Sequence, residues 1–333
     1  MILKTIDAHT AGEPLRLIVE GFPQIEGRTI LEKRDFIREH YDHLRRALML
    51  EPRGHADMYG ALLTEPEREG SHAGVLFMHN EGFSTMCGHG VIAVTKIGIE
   101  RGLLPAADPI ILDTPAGSVR ARATVQDGRV TRVSFVNVPS FVLHAGVPVR
   151  AGGRDLRADV AFGGAFYAIV DSEAVGIPIV PARLPDLRRV GMEIKDAVER
   201  AVTVAHPGEP GLHGIYGTIF TGPPSFEGAS LRNVTIFAEA EVDRSPCGTG
   251  TCAVMAVLAE MGLLEEGQPF VHESIIGTTF KGRIVGTAPV STSDPQLPTL
   301  TAIVPEIEGE AHITGECMFS LDEADPLTYG FRL

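Results

Sequence analysis

Asp243-Arg244-Ser245-Pro246-Cys247-Gly248-Thr249-Gly250-Thr251 lies between a β-like run, Val234-Thr235-Ile236-Phe237-Ala238, and an apolar helical run from Cys252 to Met261. That order predicts a strand handing over to a helix at Cys247. A thiol at such a junction faces the unpaired N–H groups of a first helical turn. Their partial positive charge favours a thiolate and can also hold a substrate carboxylate. The glycines let backbone approach a ligand closely.

The pattern occurs twice. Cys87-Gly88-His89-Gly90-Val91-Ile92-Ala93-Val94 and Cys247-Gly248-Thr249-Gly250-Thr251-Cys252-Ala253-Val254 share C-G-x-G-x-x-A-V. The same offset relates Gly102-Leu103-Leu104 to Gly262-Leu263-Leu264 and Pro109 to Pro269. After a short insertion, I-I-x-x-T-x-x-G is matched at Ile110 to Gly117 and again at Ile275 to Gly282. The chain therefore reads as two similar halves, each presenting one cysteine at a helix start. The expected division is a first lobe over residues 1–140 carrying Cys87 and a second over 141–333 carrying Cys247. The C-terminal segment is a candidate to cross back to the first lobe.

A chain of 333 residues is long enough for two domains with real cores. Its formal charge of −14 argues against nucleic-acid binding and against docking on anionic membranes. No apolar run approaches the roughly 18 residues that a membrane span needs. The N-terminus enters a strand at once, without the apolar core of a signal peptide, which predicts a cytoplasmic protein. Four cysteines are too few for a disulfide framework, so free thiols are expected. Cys252 and Cys317 read as small buried hydrophobes. Cys87 and Cys247 do not, because glycine-rich turns surround them; a bridge between them is expected only as an oxidation product.

Along the chain, strands are expected at residues 2–7 and 15–20, then a single helix from Leu31 to Leu50. Strands at Met58–Leu63 and Val75–Met78 lead to Cys87, whose helix runs to Arg101. Asp159–Asp171 reads as a strand whose Gly163-Gly164 pair admits another backbone. An amphipathic helix follows over Leu184–Thr203, then a strand at His213–Phe220, and further strands follow the second cysteine helix.

Two such thiols suit the movement of a proton from one face of a carbon to the other. A thiolate removes the proton while a thiol donates one from behind, without a cofactor. A thiol of reference pKa about 8.5 needs only a modest push from a helix terminus to do this near neutrality. The N–H groups of Gly88-His89 and Gly248-Thr249-Gly250 are positioned to hold the carboxylate as carbanion character builds. Asp243 suits a substrate nitrogen, and its spacing suits a turn or capping aspartate equally well. His89 either faces the substrate or stabilises its loop. A direct Cys87–His89 pair is not expected, since near neighbours in a turn rarely face each other. The histidines at 9, 40, 43, 55, 72 and 79 lack metal-ligand spacing, and neither a P-loop nor a dinucleotide fingerprint is present.

Met86-Cys87-Gly88-His89-Gly90 and the segment from Asp243 to Thr251 resemble the two signature segments of the proline racemase family. Asp7-Ala8-His9-Thr10-Ala11-Gly12-Glu13-Pro14, Glu51-Pro52-Arg53-Gly54-His55, Gly163-Gly164-Ala165-Phe166-Tyr167 and Ser274-Ile275-Ile276-Gly277 extend the resemblance almost end to end. It implies an α+β, diaminopimelate-epimerase-like fold. Its two pseudo-symmetric lobes are each a barrel-like sheet around a central helix, with a cofactor-independent site in the cleft between them. It also implies that Cys87 and Cys247 are catalytic, that Gly88, His89, Gly248 and Thr249 contact substrate, and that Asp243 is the acid near the substrate nitrogen.

The leading expectation is a racemase or epimerase acting on proline or hydroxyproline, because cysteine stands at both positions. Segments such as residues 51–60, 75–82 and 215–219 look closer to trans-3-hydroxy-L-proline dehydratases, which need one base and return no proton to Cα. A non-catalytic imino-acid sensor and a thiol redox switch are the readings from other classes. The partner expected is a small imino acid, with neither nucleic acid nor membrane, and a homodimer is the assembly considered.

Overall fold

In the computed structural model, which describes residues 1–290 and 300–332, the chain forms two compact units. One comprises Met1–Phe135 together with Gly309–Leu333, and the other Val136–Glu308. The chain thus passes into the second unit a few residues before the expected boundary and returns at Gly309. Among the described residues no helix is long and apolar enough to cross a membrane.

The first unit opens with β1 (Ile2–Thr10) and β2 (Glu13–Glu20), an antiparallel hairpin. Two helices, α1 (Ile30–His40) and α2 (Asp42–Met49), then return the chain to β3 (Tyr59–Thr64), parallel to β2. The single helix expected over Leu31–Leu50 is broken at Tyr41, where φ is −130° and ψ 15°. Within α2, Asp42 holds the Arg45 guanidinium at 2.6 and 2.9 Å, and Arg45 donates to the carbonyls of His79 and Asn80.

β4 (Ala73–His79) pairs with β3 from Gly74 to His79. Its other edge is shared by two short strands: β5 (Phe83–Ser84) takes Phe77 and Met78, and β6 (Ile110–Thr114) takes Ala73 and Gly74. The chain between these strands is α3 (Gly88–Glu100). Every residue from Gly88 to Thr95 is buried, against β1, β2, β3 and the next strand, β7 (Gly117–Gln126). A helix apolar on all sides must sit inside its sheet, and each enclosed valine or isoleucine contributes about 1.5–3 kcal/mol. β8 (Arg129–Val136) then carries the chain onward.

The second unit repeats this plan. β9 (Phe141–Ala151), β10 (Arg154–Phe162) and β11 (Phe166–Asp171) run antiparallel. A crossover follows, made of α4 (Ser172–Val175), a 3₁₀ turn, α5 (Leu184–Ala201) and a ribbon of β12 (Ala205–His206) and β13 (Glu209–His213). It leads to β14 (Ile215–Gly222), parallel to β11. β15 (Leu231–Phe237) pairs with β14, and its other edge is again shared, by β16 (Glu241–Asp243) and β17 (Phe270–Glu273). Between those two comes α6 (Gly248–Glu260), buried from Gly248 to Val257 against β9, β10, β11 and β18 (Thr279–Val290). β19 (Leu300–Gly309) pairs with β18, and β20 (Ala311–Ser320) rejoins the first unit beside β1 and α3. This is the expected α+β fold, a sheet wrapped about a central helix in each half.

Strand registers correct two details. Gly74 lies opposite Asp113, and Arg232 opposite Glu273, so Asp113 corresponds to Glu273 at the same offset as the cysteines. The I-I-x-x-T-x-x-G match is therefore coincidental: Ile110 begins β6, whereas Ile275 lies in the turn after β17. Gly163-Gly164 is the turn between β10 and β11 rather than the interior of one strand. It does admit another backbone, since a Cβ on Gly163 would overlap the Thr249 carbonyl and lie 2.7 Å from Ala253 N.

The corresponding carboxylates do the same work in each half. Asp113 is fully buried and accepts from Glu67 N, Arg68 N and Ser71 Oγ, each at 2.9 Å, and from Ser118 Oγ at 2.7 Å. Glu273, also fully buried, accepts from Ser225 N at 2.7 Å. Each thus ties down the loop before β4 or β15. Burial works to raise the Asp113 pKa, but its hydrogen bonds outweigh that and leave it lowered. Its stabilisation is therefore present above the unfolded carboxyl's range and lost as pH falls. Asp113→Ala is expected to cost about 2–3 kcal/mol at pH 7, because it strands buried donors. Urea unfolding at pH 7 and pH 3 should show that difference shrinking in acid.

Candidate active site

Both central helices begin with a cysteine at the N-cap. Cys87 has extended backbone, φ −146° and ψ 112°, and its Sγ accepts from Gly90 N at 3.2 Å. His89 turns back so that Nδ1 lies 3.2 Å from the same sulfur. The expectation that Cys87 and His89 do not face each other is thus overturned: side chains at the N-cap and second helical position converge over the first turn. Tyr59 packs edge-on against the His89 ring at 4.7 Å and its hydroxyl bonds Ser84, while Thr10 Oγ1 donates to the His89 carbonyl at 2.9 Å.

Cys247 makes the corresponding bond, Gly250 N to Sγ at 3.3 Å, from a different backbone. Its φ of 62° with ψ of 105° is a sparsely populated conformation for a residue with a Cβ, costing about 1–3 kcal/mol. The surroundings impose it. Ser245 Oγ accepts from Cys247 N at 3.1 Å, and Asp243 Oδ1 accepts from Ser245 N and Oγ at 2.8 and 2.7 Å. The Pro246 carbonyl is held by Asn233 Nδ2 and Thr251 Oγ1, both at 3.1 Å. Thr251 in turn takes a bond from Nδ1 of the fully buried His272 at 2.9 Å, and burial keeps that imidazole neutral by pushing its pKa down to about 3.

The electrostatics of this turn depart from the sequence expectation. Burial, followed by the Asp243 charge, pushes the Cys247 thiol up to about 12, although Tyr167, the Gly250 N–H and Thr235 all favour the thiolate. A helix N-terminus alone does not overcome a site with almost no water and a carboxylate alongside. Asp243 is pushed up to about 6 by its own burial, against the Ser245 bonds. Burial and the neighbouring carboxylate thus favour the protonated form of Cys247. All four cysteines are free; Cys252 is fully buried, whereas Cys317 is half-buried on β20. Among the described residues no group of three or more His, Cys, Asp and Glu side chains could hold a metal ion.

A model of the family described as proline racemase matches residues 5–332. The chain belongs to the proline racemase family. It is 48% identical, over 100% of its length and 98% of the relative's, to a trans-3-hydroxy-L-proline dehydratase of Bacillus thuringiensis subsp. konkukian. It is 40% identical, over 99% of its length and 98% of the relative's, to a proline racemase of Clostridioides difficile. A solved hydroxyproline epimerase from Agrobacterium vitis, with bound trans-4-hydroxy-L-proline, shares the fold with a TM-score of 0.90 and 31% identity, covering 100% of this chain and 96% of that one. These relatives within the proline racemase family are enzymes.

Of the residues singled out in the sequence, Cys87, Gly88 and His89 meet at the first turn of α3, and Asp243, Cys247, Gly248 and Thr249 at that of α6. Asp243 serves as the turn aspartate, so one alternative reading of it is realised whatever its role toward substrate. Sequence reasoning missed Tyr167, whose hydroxyl lies 2.6 Å from Thr249 Oγ1 and 3.7 Å from Cys247 Sγ. It stands inside a segment that carries the proline racemase resemblance, and its polar end in the apolar run Phe166–Val170 was the available signal.

Proposed function

We propose that the chain inverts Cα of proline or a hydroxyproline by a proton transfer that uses two thiols. One observation carries the reading: a cysteine caps each central helix, and each sulfur receives the N–H of the glycine three residues on. Inversion needs a base to take the Cα proton from one face and an acid to return one to the other. Cys87 and Cys247 fill those roles, exchanging them with the enantiomer bound. First-turn N–H groups of Gly88, His89, Gly248 and Thr249 receive the substrate carboxylate, where negative charge builds in the transition state. Asp243 receives the ring nitrogen. An ammonium beside it offsets the charge that opposes ionisation of Cys247, so substrate binding brings that thiol toward working range. No cofactor enters this scheme. The hydroxyproline ring in the Agrobacterium vitis epimerase supports the substrate class.

A second reading is favoured by the 48% identity to a named trans-3-hydroxy-L-proline dehydratase. There one thiolate removes the Cα proton, the C3–O bond breaks with loss of water, and the enamine tautomerises to a cyclic imine. Proton NMR in deuterated buffer with reductant separates the two, using L-proline, trans-4-hydroxy-L-proline and trans-3-hydroxy-L-proline in turn. The expected result is loss of the Cα–H signal with growth of the opposite epimer. Imine signals from the 3-hydroxy compound alone would replace inversion by dehydration.

A further inference from the structure

The second thiol lies beside a buried tyrosine. Tyr167 on β11 is fully buried, and its hydroxyl, the Thr249 hydroxyl and the Cys247 sulfur form a triangle with sides of 2.6, 3.7 and 3.8 Å. Gly74 and Arg232 correspond, so Met78 corresponds to Ile236 and their partners Gly60 and Thr218 correspond. Arg16 lies opposite Gly60 and Ala168 opposite Thr218, which puts Leu15 at the position of Tyr167 in the first unit. The first thiol has an imidazole beside it instead. The tyrosine at this strand position is thus a feature of the second half.

Two hydroxyls bonded to each other use one O–H between them. If Tyr167 donates to Thr249, the Thr249 O–H remains; if Thr249 donates to Tyr167, the phenol O–H remains. In both arrangements the O–H that is left has the sulfur as its neighbour, and it belongs to a hydroxyl already accepting a bond, which strengthens it as a donor. We propose that Tyr167 is a positioning residue for Cys247, forming with Thr249 a relay that presents one O–H to the sulfur and stabilises the thiolate each time Cys247 gives up its proton. When the S–H bond breaks and the C–H bond forms, the electron pair stays on sulfur and the relay O–H turns to it. No proton leaves the relay, so nothing else need be supplied. Burial and the Asp243 charge both oppose that thiolate, so the donor acts where it is most needed. This inference rests on reading Cys247 as an acid–base group.

The test is alkylation by iodoacetamide without substrate, in wild type, Tyr167→Phe, Thr249→Val and the double variant, with each cysteine followed separately by mass spectrometry. Only the thiolate reacts. Tyr167→Phe and Thr249→Val are each expected to slow Cys247 alkylation several-fold, and the double variant to slow it about tenfold or more, with Cys87 unchanged. A merely loosened fold would expose the sulfur and speed the reaction, the opposite sign. Cys247 rates in Tyr167→Phe equal to wild type, or parallel changes at Cys87 and Cys247, would overturn the assignment. Since no turnover is measured, that outcome is separate from failure of the two-thiol reading, which full activity in Cys247→Ser would reveal.

Discussion

Cys87→Ser and Cys247→Ser are each expected to lower inversion at Cα by about 10³-fold, within the range set by loss of a general acid or base, while thermal stability holds or rises. The two halves of that result have separate causes. A serine hydroxyl is too weak an acid to cycle through its anion near neutrality, whereas a thiol reaches its thiolate with assistance. As helix caps the order reverses: serine is among the preferred N-cap residues, and it would still accept the Gly90 or Gly250 N–H. On the two-thiol proposal, both helices start with a residue that favours chemistry over capping. Polarimetry on L-proline and a thermal melt measure the two halves. A variant that keeps one thiol should still exchange Cα–H for deuterium from one enantiomer, without inversion. Activity within tenfold of wild type in either variant would remove that cysteine from the mechanism.

The features legible in the sequence are those set by local chemistry. A cysteine and two glycines before an apolar run specify a helix start, and the start is at Gly88 and Gly248 as expected. The doubling of that motif announced a fold made of two similar halves. What was not legible depends on partners distant in sequence. Tyr41 interrupts the expected helix, and Arg45 beyond it donates to the carbonyls of residues 79 and 80; the helical periodicity records neither. The Ile275 match misled because identity of side chains was weighed without strand pairing, which aligns Asp113 with Glu273 instead. The raised pKa of Cys247 escaped for the same reason. The helix terminus that lowers it is local and visible, while the burial and the neighbouring strand that raise it are tertiary.

The second glycine of each motif shows how much the site asks of its backbone. At an interior helical position alanine is ordinarily favoured over glycine by about 1 kcal/mol. Here a Cβ on Gly250 would lie 2.9 Å from Cys247 Sγ and 2.9 Å from Ile219 Cδ1. A Cβ on Gly90 would lie 2.9 Å from Cys87 Sγ and would overlap the Phe77 ring. Bare glycine is what lets the third N–H of the helix approach the sulfur. Gly250→Ala is therefore expected to destabilise by about 1–3 kcal/mol through overpacking, reversing the sign that propensity gives. The larger effect falls on activity. The thiol is the movable member of that contact, and its rotation away from the Gly250 N–H would lower kcat by about 10²-fold, the usual cost of misplacing a reacting group by an ångström. Gly90→Ala should cost more stability, since a ring enclosed in the first unit cannot swing aside as a thiol can. If Gly250→Ala instead raised Tm and left kcat unchanged, the close approach of backbone to sulfur would have no part in placing the thiol, and the glycine would need another explanation.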